Sequence, residues 1–251
     1  MPTYHLFIFD SFPTGKRILA DGQIKMIHTD LSTELTYTGQ ALGNEFETYQ
    51  VIHPSRVHFK GTPYHHKDVL DEVTERHRFA AYVNKKESLL ITNYNKIISN
   101  EAIKRLNTCF PSAHIRRPHI NLNALLPDFK ALIGSYFRDI QIPHLRSSAL
   151  FGADVDQADF YRIMSTLGQL SAVMAIIPIK DEDYRALITR EYSITLWDNL
   201  TEDMTLSTLL NLRNILDRAL IDDKTTLSKE DNRSEEIEDV LALALDLDSV
   251  T

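Results

Sequence analysis

The chain has 251 residues, of which 43% are hydrophobic and 25% charged, with eight Gly, one Cys and a formal net charge of -8. The single Cys109 excludes an intrachain disulfide and a Cys-based zinc centre, and it favours a reducing, cytoplasmic setting. No stretch approaches the ~20 apolar residues that span a bilayer, and Met1–Asp10 lacks the basic start and long apolar core of a secretory signal, so no membrane partner is expected.

In chain order, Tyr4–Phe9 reads as a strand from its branched and aromatic residues, and Asp10–Gly15 as a turn cluster. Residues 18–40 mix short apolar pieces with Thr and Ser and read as strands. Glu47–Lys60 reads as strand, turn at Pro54, strand. Gly61–Tyr64 is a break, and Lys67–Glu75 carries a weak helical pattern. Phe79–Asn84 and Ser88–Thr92 form a hairpin. A helix opens at Ser99, a capping residue, with Ile103 and Leu106 on one face, and ends before Pro111. His114–Leu122 reads as a strand that Pro118 confines to an edge or bulge.

Asp128–Phe137 places Phe129, Leu132, Ile133, Tyr136 and Phe137 at helical spacing and is expected to be a helix. Ile140–Phe151 is extended, and Asp156–Leu167 is helical. Leu170–Ile179 and Tyr184–Trp197 are strands across an acidic turn, and Leu206–Ile221 closes the body as a helix. With no regular βαβ alternation, the expected class is α+β: a mixed or antiparallel sheet with several packed helices. The expected organisation is a β-rich module over 1–66, an α+β module over 67–221, a polar linker over 222–234 and an acidic amphipathic helix over 235–251. In that last segment Ile237, Val240, Leu241, Ala244 and Leu245 fall on one helical arc, Glu235, Glu238, Asp239 and Asp246 fall opposite, and Glu236 and Asp248 break the apolar arc.

Charge is unevenly spread. Residues 222–251 hold ten acids and three bases, a balance of -7, so the first 221 residues carry only -1. Within that body, 104–146 is +5 and 147–221 is -5. The basic stretch contains His114-Ile-Arg-Arg-Pro-His-Ile-Asn, with Lys104 and Arg105 upstream. Arg116 and Arg117 can grip phosphates bidentately. Lys104, Arg105, Arg116, Arg117 and His119 are therefore the candidate nucleic-acid contacts. The bland reading is a solvated edge paired with acids elsewhere.

Enzymatic motifs are thin. Gly15-Lys16 lacks the earlier Gly and the following hydroxyl of a phosphate loop, and no dinucleotide fingerprint or nucleophile elbow occurs. Asp154, Asp156 and Asp159 fail the calcium-loop spacing and read more simply as helix-capping carboxylates. The span from His53 to His77 concentrates His53, His58, His65, His66, Asp68 and Asp71, residue types that suit a divalent transition metal. No cofactor is implied. The expected function is a non-enzymatic accessory or interaction protein. It would contact nucleic acid through the basic segment, and a protein partner or a second copy of itself through the C-terminal helix. The alternative is a metal-dependent nuclease or hydrolase built on the His/Asp-rich span.

Overall fold

The computed structural model describes residues 2–20, 32–58 and 72–221. They divide into two compact units, an N-terminal one ending at Arg117 and a C-terminal one beginning at Pro118. Position 66, the expected module boundary, lies in the connection between two paired strands and outside the described residues.

The N-terminal unit is an antiparallel sheet with one helix. Its strands are β1 (Thr3–Ile8), β2 (Arg17–Ala20), β3 (Thr33–Ala41), β4 (Phe46–His58), β5 (Glu72–Asn84) and β6 (Leu89–Thr92), followed by α1 (Lys96–Cys109). They pair in the order β2-β3-β4-β5-β6-β1. Alternation sends Tyr49 and Val51 of β4, Phe79, Ala81 and Val83 of β5, Leu90 of β6 and Phe7 of β1 to one side. There they form a core with Ala102, Ile103 and Leu106 of α1.

Two local expectations change here. Pro54 does not break β4; it stands opposite Arg76 of β5, two residues past Ile52, where the described pairing with β3 ends. A proline without an N–H is tolerated where a strand has a neighbour on one side only. The helix begins earlier than Ser99: Asn95 is its cap, its Oδ1 accepting from the Ile97 and Ile98 N–H groups. Ser99 is buried inside α1 and accepts from the Thr92 hydroxyl at 3.1 Å.

The C-terminal unit contains β7 (Ala131–Ile142), β8 (Leu145–Phe151), α2 (Asp159–Leu167), β9 (Gln169–Ile179), β10 (Glu182–Thr189), β11 (Ser193–Leu196) and α3 (Glu202–Leu216). The strands pair antiparallel in the order β8-β7-β9-β10-β11. Leu132, Phe137, Val173, Ala175, Ile177, Ala186 and Ile188 are buried on one face. Both helices lie on that side: Tyr161 of α2 sets its ring edge-on to Phe137 at 5.4 Å, and Thr208 of α3 hydrogen-bonds Tyr184. Tyr192, fully buried, donates to Asp217, which also accepts from Arg213 at 3.0 Å.

The expected α+β class with several packed helices is overturned. The described residues are predominantly antiparallel β, with eleven strands against three α-helices. The largest misreading is Asp128–Phe137: Asp128 ends a 3-10 helix that begins at Leu122, and Ala131–Phe137 is the first half of β7. Its pairing with β9 is interrupted by register shifts between Leu132 and Gly134 and between Tyr136 and Phe137. The first shift puts one extra residue, Ile133, on β7 and the second one extra residue on β9, so along β7 Leu132 and Ser135 share the buried face three residues apart and the plain two-residue alternation is lost from the sequence. His114–Leu122 is not a strand but an irregular pass with two isolated bridges, Ile8 to Arg116 and Ile120 to Leu220. The expected C-terminal acidic helix lies outside the described residues. No described helix is long and apolar enough to cross a membrane.

Candidate nucleic-acid interface

The face of the N-terminal sheet turned away from α1 is apolar and buried at the end formed by Phe46, Tyr82, Ile91 and Leu6, and polar and basic at the other end of β4 and β5. Because Val51 and Phe79 point to the core, Gln50, Ile52 and Arg56 of β4 and Thr74, Arg76 and Arg78 of β5 point the other way. Register sets Arg78 opposite Ile52, Arg76 opposite Pro54 and Thr74 opposite Arg56. The three arginines, Gln50 and Thr74 are exposed. On the far side of β4, Glu34 faces Ile52, but it is engaged by Arg17, with Nε–Oε1 at 2.6 Å and Nη2–Oε2 at 3.1 Å. Arg76 and Arg78 have no carboxylate partner among the described residues. Two residues apart on a strand, their guanidinium stems leave the sheet about 6.6 Å apart. Each fork is free to take two oxygens of one phosphate.

The residues expected from sequence to contact nucleic acid are placed differently. Lys104 is exposed on α1, on the other side of the sheet from Arg76 and Arg78, and Arg105 is half-buried. Burial holds the Arg105 guanidinium below its ordinary value, with Arg56 adding repulsion and Glu101 opposing both. Arg116 is exposed but tied to Asp10, Nη1 to Oδ1 at 3.0 Å, while His114 Nδ1 meets the other carboxylate oxygen at 2.9 Å. Arg116 first and His114 second hold the Asp10 carboxyl below its usual range. Arg117 is half-buried with its guanidinium 5.2 Å from the centre of the Phe7 ring. His119 is exposed and belongs to the C-terminal unit, where its carbonyl accepts from the Ile221 N–H. Ile237, Val240, Leu241, Ala244 and Leu245 lie outside the described residues.

The histidine-rich span resolves into a hydrogen-bonded pair on the α1 side of the sheet. His53 and His77 face each other across β4 and β5. His53 is fully buried, with Nδ1 2.8 Å from the Thr33 hydroxyl and Nε2 3.5 Å from a carboxylate oxygen of Glu101. His77 sets Nε2 2.7 Å from the Ser55 hydroxyl and Nδ1 3.2 Å from the Tyr94 hydroxyl. All four ring nitrogens have protein partners, three of them hydroxyls, so a metal would first have to displace these bonds. Among the described residues no three His, Cys, Asp or Glu side chains group as metal ligands. The His58 side chain and His65, His66, Asp68 and Asp71 lie outside the described residues. Burial, chiefly, pushes the His53 imidazole down to about 4, with Arg105 adding to the shift and Glu101 opposing it.

The acidic run before α2 does not cap that helix through Asp154 or Asp156. Ala158 occupies the cap position without a side-chain bond, Asp154 is in the left-handed conformation, and only Asp159 lies in the first turn. The basic sheet face was legible in one place only, the tetrapeptide Arg76-His-Arg-Phe79. Read with a period of two, it puts both arginines on one side and the histidine and phenylalanine on the other. No protein-family model matches the chain, and no curated protein matches it.

Proposed function

We propose that this chain is an interaction protein that contacts the phosphate backbone of nucleic acid through the basic end of the N-terminal sheet face formed by β4 and β5. The observation that carries the reading is the pair Arg76 and Arg78, exposed, on one face, beside Arg56, and without carboxylate partners among the described residues. The basic end of the face presents no exposed aromatic ring for base stacking: Phe46 and Tyr82 on the same side of the sheet are buried, and Tyr37 and Tyr49 pack edge-on to each other on the core side. Binding is therefore expected to be tolerant of sequence and sensitive to salt.

The test is fluorescence anisotropy on labelled duplex and single-stranded oligonucleotides over a salt series. The reading expects Arg76→Ala plus Arg78→Ala to weaken binding at least about tenfold at low salt. On duplex DNA it also expects the slope of log affinity against log salt to fall by about 1.8, one phosphate contact per arginine. Arg116→Ala plus Arg117→Ala is expected to have the smaller effect, because Asp10 already engages Arg116. Absence of salt-dependent binding, or an unchanged slope in the Arg76/Arg78 variant, overturns it.

A further inference from the structure

The C-terminal sheet has a second face, opposite α2 and α3, and it is apolar. Register aligns Phe151, Gly134, Met174 and Leu187 across β8, β7, β9 and β10, with Tyr136 and Ile176 in the neighbouring rows. Gly134 is the reason the strip is continuous. A Cβ there would come within 3.1 Å of both Met174 Cβ and the Phe151 ring, so a larger residue would push the Phe151 ring aside. Phe151 remains 61% exposed and packs edge-on to Tyr136 at 5.4 Å. No described helix lies on this side.

Two cations flank the strip. Arg185 sits opposite Ile176, and Arg138 follows the inward-facing Phe137 and so points to the same side as Tyr136. Both are exposed, and neither has a carboxylate partner among the described residues. The face therefore asks for an occupant with an apolar stripe bordered by acids.

We propose that residues 235–248 of this same chain dock on that face as an amphipathic helix. Ile237, Val240, Leu241, Ala244 and Leu245 would meet the apolar strip. Glu235, Glu238, Asp239 and Asp246 lie off that stripe, where they can reach Arg138 and Arg185. The connection is long enough: fifteen residues separate Ile221 from Ile237 and span at most about 50 Å, against a five-stranded sheet about 20 Å across. Eleven helical residues from Ile237 to Leu247 make about 16 Å, close to the width of four strands. Tethering makes the encounter intramolecular, at an effective concentration in the millimolar range for a short flexible connection. The inference rests on the amphipathic pattern of the C-terminal segment and is independent of the phosphate contacts.

The test is hydrogen exchange on the full chain without nucleic acid, with molecular mass measured at the same concentrations. The expected result is a monomer in which amides 237–247 exchange at least about tenfold slower than in the isolated peptide. Leu187→Asp on the face and Ala244→Asp on the segment each abolish that protection while β9 and α3 stay protected. Arg138→Glu plus Arg185→Glu, which leaves the apolar strip intact, reduces it. The proposal is overturned by free-peptide exchange in the unmodified chain or by protection that survives both the Leu187 and the Ala244 substitutions. Protection that appears only with a dimer mass assigns the face to a second copy and overturns it equally.

Discussion

His53 couples the N-terminal unit to pH. Its imidazole is enclosed and bonded to Thr33, and its value falls to about 4 because burial penalises the charged ring and Arg105 repels it. The unfolded chain takes up this proton near 6.5 and the folded one only near 4. Between those values the unfolded state binds more protons, so stability is full above about 6.5 and is lost as pH falls toward 4. The gap is worth on the order of 3 kcal/mol. Thermal unfolding of the unmodified chain at pH 7.5 and at pH 4.5 should show a clear drop in Tm. In His53→Asn, which keeps a polar partner for Thr33 and cannot titrate, the drop should shrink. An equal pH dependence in the two proteins would assign the effect elsewhere. The depressed carboxyls of Asp10 and Glu47 matter only lower, because they lose their stabilising charge as pH passes below the ordinary carboxylate range.

At the scale of elements, what was legible followed from alternation, and what was not followed from interrupted alternation. The β5–β6 turn and the long apolar β9 stand where the sequence pattern places them, whereas β5 already begins at Glu72, inside the stretch that reads as weakly helical, and α3 starts four residues before Leu206 and ends at Leu216. β7 reads as a helix because Phe129, Leu132, Ile133, Tyr136 and Phe137 stand at helical spacing and the extra residue at Ile133 breaks the two-residue alternation, which only the paired strand reveals. The basic segment was legible as charge but not as geometry. Nothing local in Arg116-Arg117 reveals that Asp10, more than a hundred residues away in sequence, neutralises one and Phe7 stacks against the other.

That segment is held by a device the sequence shows only as an ordinary asparagine. Asn107 of α1 donates from Nδ2 to the Ile115 carbonyl at 2.6 Å and accepts the Ile115 N–H at Oδ1 at 2.8 Å. The side chain thus replaces a strand neighbour for one residue and fixes Arg116 in its bridge to Ile8. Asn107→Ala removes both bonds from a half-buried site and should cost about 2 kcal/mol. Asn107→Asp keeps the acceptor and loses the donor, and should fall between. Chemical denaturation gives the stabilities. Faster exchange of the Ile115 and Arg116 amides, with α1 still protected, identifies the clamp as the cause. A loss of protection spread through α1 would instead make Asn107 a helix-stabilising residue.

For the whole molecule, the net charge of -8 misdescribes the part that would meet a polyanion. Residues 222–251 carry -7 and the rest carries -1, while the exposed end of β4 and β5 concentrates Arg56, Arg76 and Arg78. If the basic end of β4 and β5 binds phosphate, the acidic residues 222–251 would act on that binding in two separable ways, by adding a repulsive field and by competing for exposed arginines. Both weaken as salt rises, since the screening length falls from about 10 Å at 0.1 M to about 3 Å at 1 M. Removing residues 222–251 should therefore strengthen oligonucleotide binding several-fold at low salt, and the gain should vanish near molar salt. Replacing only Glu235, Glu236, Glu238 and Asp239 with Gln and Asn keeps the apolar stripe and should recover about half of the gain, because those four carry four of the ten acidic charges. A full gain from the truncation with none from the charge replacement would mean that the segment acts by occupying space rather than by its field. An unchanged affinity in both would mean that the acidic end and the basic sheet face do not communicate at all.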